Sequence, residues 1–143
     1  MGQFPYFKQS MNEISKIMNI IDKVSISNDK WQPSDIAFIK ELMWADNNLR
    51  IVFYGQFRDA VAIWPDRSKD FFEIVITFKN VTNLRLDFNN LGLHQVSGFD
   101  ILDISSDGLE CINFRIEDYE DDTISFYCED IEVNELNDQS VLF

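Results

Sequence analysis

Apolar residues recur along this chain in two distinct rhythms. Near the start, Met11, Ile14, Met18 and Ile21 fall at helical spacing, with Ile17, Ile20 and Val24 widening the stripe. Asn12, Glu13, Lys16, Asn19 and Lys23 occupy the other face. This pattern predicts a helix over about 8–24 that covers a sheet. Its polar face is too poor in Lys and Arg for a membrane-surface helix. Beyond it the period drops to two. Leu49, Ile51, Phe53 and Phe57 alternate with Arg50, Tyr54 and Gln56. Phe72, Ile74, Ile76 and Phe78 share a face, as do Leu84, Leu86 and Phe88. Over Glu110–Glu117, Ile112, Phe114 and Ile116 oppose Asn113, Arg115 and Glu117. Ile124, Phe126 and Cys128 form one more face, and Ile131 and Val133 continue it out of phase, which predicts a bulge or corner near Glu129.

The stretch 34–44 carries both signals. Pro33-Ser34-Asp35 looks like a helix start, whereas Ile36, Phe38, Leu42 and Trp44 share a strand face broken by Lys40. The polar run Ala45-Asp46-Asn47-Asn48 then reads as a turn into the next strand, which favours a strand here. Short strands joined by brief polar turns predict an antiparallel meander. The expected fold is therefore α+β: an N-terminal helix on a mostly antiparallel sheet of about six to eight strands. No linker or repeat divides the chain, so 1–143 reads as a single domain. The sheet region spans about 34–134, and 135–143 reads as a loose tail.

Composition agrees with a folded chain. Of 143 residues, 45% are hydrophobic and thirteen are Phe, a load suited to sheet surfaces. The formal charge is −13. Such a chain repels phosphate backbones and anionic lipid, so nucleic acid and membrane are poor partners and a basic protein is a natural one. No signal segment or apolar span is visible, and two cysteines make no disulfide framework. A cytoplasmic location is expected.

Chemistry is sparse. His94 is the one histidine, placed between Gly92 and Gly98, and reads as a loop or surface residue. The alternation turns Cys111 outward and Cys128 inward, so no disulfide is expected. There is no CxxC, HxxxH or HExxH. Asp118-Tyr119-Glu120-Asp121-Asp122 has calcium-like oxygen donors, but it lacks the twelve-residue loop with its central Gly and terminal Glu. No cofactor or metal is expected, and no catalytic residue is nominated. The competing reading is a small enzyme of unrecognised family that uses carboxylates or Cys111.

Charge asymmetry is the most informative feature. After Arg115 there is no Lys or Arg, yet ten carboxylates follow. Like charges this dense repel one another and weaken the native state. The predicted partner-binding residues are therefore Glu117, Asp118, Tyr119, Glu120, Asp121, Asp122, Tyr127, Glu129, Asp130 and Glu132. The two tyrosines serve as aromatic anchors.

The runs PSDIAFIKELMWADNNLRIVF, FFEIVITFKNVTNLRLDF, SGFDILDIS and INFRIEDYEDDTISFYCEDIEV resemble the predicted immunity proteins of bacterial polymorphic-toxin systems. The family in question is the one catalogued as immunity protein fifty. The likeness covers roughly Gln32 to Leu136, leaves out the N-terminal helix, and includes no catalytic signature. It implies a non-catalytic protein that binds a cognate toxin made in the same cell and blocks its active site or substrate path. A basic, nuclease-like toxin would complement the acidic third.

Overall fold

A computed structural model describes residues 31–88 and 93–141. Its strands are β1 (Ile36–Ala45), β2 (Asn48–Gly55), β3 (Asp70–Lys79), β4 (Thr82–Leu86), β5 (His94–Gln95), β6 (Phe99–Asp103), β7 (Phe114–Asp118), β8 (Ile124–Cys128) and β9 (Asp130–Val141). They form two sheets, ordered β5-β1-β2-β3-β9 and β4-β8-β7-β6, and the registered pairs are antiparallel. The helical pieces among the described residues are three short 3-10 turns, Pro33–Asp35, Arg58–Ala60 and Ser105–Asp107.

The expected α+β fold is thus corrected to a mostly β one. A sheet with one apolar face needs a cover. Here the second sheet supplies it, where a helix was expected. The predicted helix over 8–24 lies outside the described residues. Leu49, Ile51 and Phe53 of β2 and Ile74, Ile76 and Phe78 of β3 are buried against Phe99, Ile101, Ile116, Ile124 and Phe126 of the smaller sheet. Phe53 meets Phe99 at 5.1 Å and Phe78 meets Phe126 at 4.9 Å between ring centres, the second pair edge-on. Tilted and edge-to-face pairs of this kind suit the ring quadrupoles.

Local chemistry explains the departures from simple alternation. Asp46 and Asn47 both take positive φ (52° and 63°), the conformation of a two-residue hairpin turn that Asp and Asn tolerate. The helix-start signal at Pro33 is real but lasts one 3-10 turn before β1 begins. Register shifts within β1 send Ile39 to the inter-sheet core and Phe38 to the opposite face. There Phe38 packs with Ala37, Tyr54 and Phe71. The corner near Glu129 is where the chain leaves one sheet for the other. Residues expected as a loose tail pair with β3 as far as Val141.

Asp35 fastens the edge of this frame. Its buried carboxylate accepts the Gln32 and Arg58 amides at 2.7 and 3.1 Å. Arg58 in turn donates to the carbonyls of Ser34 and Ser97 and stacks 3.6 Å from the centre of the Trp64 ring. Burial pushes the Asp35 carboxyl above its ordinary range, and burial does the same to Asp100. The folded state therefore holds protons more tightly than the unfolded chain at these groups. Stability from them is full below the ordinary Asp range and falls as pH rises through the raised values. Relief of self-repulsion on a chain of −13 acts in the same direction. The melting temperature is expected to fall as pH rises from the ordinary Asp range towards neutrality, which a thermal melt from about pH 4 to about pH 7 checks.

Candidate functional site

The β7–β8 hairpin carries the acidic turn. Arg115 pairs with Tyr127 and Glu117 with Ser125, and after Asp118 ends β7 residues 119–123 form the connection. Asp118 is 1% exposed and organises that connection from within. Its Oδ1 accepts amides from Gly98 (3.0 Å), Glu120 (3.3 Å) and Asp121 (3.3 Å), and its Oδ2 accepts that of Thr123 (3.3 Å). Its carbonyl accepts the Asp122 amide at 3.0 Å. Gly98 lies beneath the turn, where a Cβ would come within 2.6 Å of Glu120 Cγ and 2.9 Å of its amide nitrogen. Thr123 adds a hydroxyl bond to the Gln95 carbonyl at 3.1 Å. The turn is therefore held from one side and presents the other.

What it presents is Tyr119, 59% exposed, flanked by the exposed Glu120, Asp121 and Asp122. The other residues predicted for the surface are placed differently. Asp118 is consumed by the turn and has no surface to offer. Glu117 is half-buried and paired with Arg115 at 3.2 Å. Glu129, Asp130 and Glu132 lie past the far end of β8, a five-residue strand that separates them from the turn by about 17 Å. Glu129 accepts the Asn80 side-chain amide at 2.6 Å, and Glu132 pairs with Lys79 at 2.9 Å. Asp130 is exposed. Nine of the ten predicted residues thus divide between two ends of a strand.

Tyr127 belongs to a third feature that the sequence reading passed over. A groove of about 370 Å³ crosses the outer face of the smaller sheet, lined by Asn83, Arg85, Arg115, Ser125, Phe126 and Tyr127. Arg85 pairs with Ser125 across β4 and β8, so the two arginines stand on either side of β8. The β4–β8 register shifts between Thr82 and Arg85, and Asn83 within that shift has φ 54°. Such bulges re-aim side chains, and this one brings Asn83 to the groove. Alternation alone marks Arg85 and Arg115 as outward-facing. Only the strand order β4-β8-β7 brings them together.

Nucleophilic chemistry finds poor support in the cysteines. Cys111 is exposed in a turn with φ 57° and Cys128 is buried, both as free thiols. The segment around Cys111, expected as strand, is turn, and β7 starts only at Phe114. A hydrogen bond to the Glu129 carboxylate, then the charges of Glu129 and Glu110, raise the Cys111 thiol above its ordinary range. Burial pushes Cys128 up to about 12. A reactive cysteine needs the opposite shift, towards thiolate. His94 sits in β5, half-buried, with its ring stacked 4.0 Å from that of Phe88. Among the described residues no three His, Cys, Asp or Glu side chains are grouped to hold a metal ion, and no helix is long and apolar enough to cross a membrane.

A family model described as immunity protein PIM8 matches residues 20–134. The chain belongs to this family. The immunity-protein part of the resemblance therefore holds, while the family is described as PIM8 and not as immunity protein fifty. The matched segment also begins earlier than Gln32, reaching into the stretch read as a helix. No curated protein and no solved structure matches the chain. Membership of an immunity family implies a binding role towards a toxin protein.

Proposed function

We propose that this protein neutralises a cognate toxin in the cytoplasm by direct, non-catalytic binding, and that the turn Tyr119–Asp122 leads the contact. The observation that carries this reading is the pairing of an exposed aromatic and three carboxylates with a backbone locked by Asp118. A rigid presenter loses little freedom on binding. Tyrosines of this type supply much of the binding energy at interfaces. The carboxylates around Tyr119 attract a basic surface, such as that of a nuclease whose active site draws in phosphate. Asp130 and Glu132 extend the negative field but stand too far away to share a compact patch with the turn.

The test is association kinetics with the cognate toxin domain, at several salt concentrations. Replacing Asp121 and Asp122 together by Lys is expected to slow association about tenfold at low salt, with the difference fading as salt screens the charges. Tyr119→Ala is expected to weaken binding by about 2 kcal/mol, or roughly 30-fold, mainly through faster dissociation. Rates indifferent to salt and to all three positions would assign the turn to solvent alone.

A further inference from the structure

The groove on the outer face of the smaller sheet is opposite in sign to its surroundings. In a chain of formal charge −13, two guanidiniums line one depression. Arg115 on β7 and Arg85 on β4 are two strand spacings apart and offset by two residues, about 12 Å between backbones, with Ser125 and Tyr127 of β8 between them. Both arginines are exposed. Of the carboxylates on this face, Glu117 binds Arg115 at 3.2 Å, Asp100 lies beside Glu117 one strand further out, away from Arg85, and Asp87 is exposed two residues beyond Arg85. Arg85 has no ion pair among the described residues. Besides Phe126, the remaining lining supplies neutral hydrogen-bonding groups: the Asn83 amide, the Ser125 hydroxyl and the Tyr127 phenol.

We infer that this groove receives a carboxylate side chain, Asp or Glu, from the toxin bound by the neighbouring turn. The inference rests on the proposed immunity function and adds the second half of the recognition surface. A guanidinium is a planar fork that matches a carboxylate through two parallel hydrogen bonds. Two such forks, with tyrosine and asparagine beside them, make a directional set of donors rather than a diffuse field. A nucleic-acid backbone is a poor occupant, because its next phosphates would meet Glu120, Asp121 and Asp122 at the turn. A protein with a basic patch and one acidic residue at its margin satisfies both. The negative turn then speeds encounter while the groove sets orientation, since a partner lacking the acid leaves Arg85 desolvated without a counter-charge, while Arg115 keeps Glu117.

The experiment measures affinity for the cognate toxin domain with wild type, Arg85→Gln, Arg85→Lys, Arg115→Gln and Tyr119→Ala. Because Arg85 is exposed, its substitution should leave the melting temperature unchanged, which separates lost recognition from lost folding. Arg85→Gln is expected to weaken binding at least tenfold, mostly by faster dissociation, with Arg85→Lys retaining part of the affinity. A scan of Asp→Asn and Glu→Gln changes on the toxin should find one position that removes the effect of Arg85→Gln. Wild-type affinity in both arginine variants alongside weakened Tyr119→Ala would overturn the groove while leaving the immunity reading intact. Failure of the wild type to bind the toxin would overturn both. Binding of a single-stranded oligonucleotide at comparable affinity, abolished by Arg85→Gln, would reassign the groove to phosphate and refute the carboxylate.

Discussion

Phe126→Ala is expected to destabilise the protein by about 3–5 kcal/mol, the cost of emptying a large buried aromatic site. Phe126 is 1% exposed on β8, with neighbours on both sides in its sheet, and meets the edge of Phe78 from the larger sheet at 4.9 Å. Its loss removes buried area and an aromatic pair at once. Folded domains hold only about 5–15 kcal/mol in total, so the variant surrenders a large share. For a chain of this length the melting temperature should drop by roughly 10–20 °C. Phe126→Leu keeps most of the volume and should cost less than about 1.5 kcal/mol. Urea unfolding of the three proteins checks this, with an unchanged slope confirming that native stability moved. A loss below about 1 kcal/mol for the alanine variant would mean that the two sheets do not share their core.

The contrast between what alternation reveals and what it conceals follows from the same geometry. A strand buried on one face writes its pattern into the sequence, so β2, β3 and β8 and their inward residues are legible. Pairing order is not written there. The alternating sets Leu49, Ile51, Phe53 and Ile124, Phe126, Cys128 look alike in sequence, and nothing in either run says that they belong to facing sheets. The cover of the larger sheet was therefore assigned to the one helical pattern available. Bulges hide as well. Phe38 continues the alternation of Ile36 and Leu42 but points to the other face, because β1 shifts register on both sides of it. Leu86, read as inward, is 42% exposed after the irregularity at Asn83. Asn134-Glu135-Leu136-Asn137-Asp138 has one apolar residue in five, yet pairs with β3 through backbone groups that any side chains permit. The acidic bias of the final third was legible, whereas its division by β8 into two ends was not, since charge counts carry no direction. Arg85 and Arg115, thirty positions apart, become neighbours only through β8.

Asp118→Ala is expected to cost about 3 kcal/mol and to disorder the turn that carries Tyr119. Alternation with Ile116 sets this side chain inward, and a buried carboxylate without partners would be prohibitive. Four amides meet it instead, from Gly98, Glu120, Asp121 and Thr123. Hydrogen bonds to a charged acceptor contribute about 1.5–3 kcal/mol each when counted singly, and they are not additive within one cluster. Amides stranded in the closed part of the turn lose that compensation, while those at the rim find water. Asp118→Asn keeps the shape but replaces one acceptor oxygen by a donor, so either the Thr123 amide or the three facing Oδ1 meets another N–H. It should therefore recover little. Amide hydrogen exchange separates this outcome from general loosening. Gly98, Glu120, Asp121 and Thr123 should lose protection in Asp118→Ala well beyond the global change, whereas Ile74 and Ile76 of β3 should follow global stability. If toxin affinity falls with that local loss while Asp121→Asn leaves the turn protected, Asp118 acts on binding by holding the turn in place. Retained protection at all four amides in the alanine variant would show that the turn keeps its shape without the carboxylate.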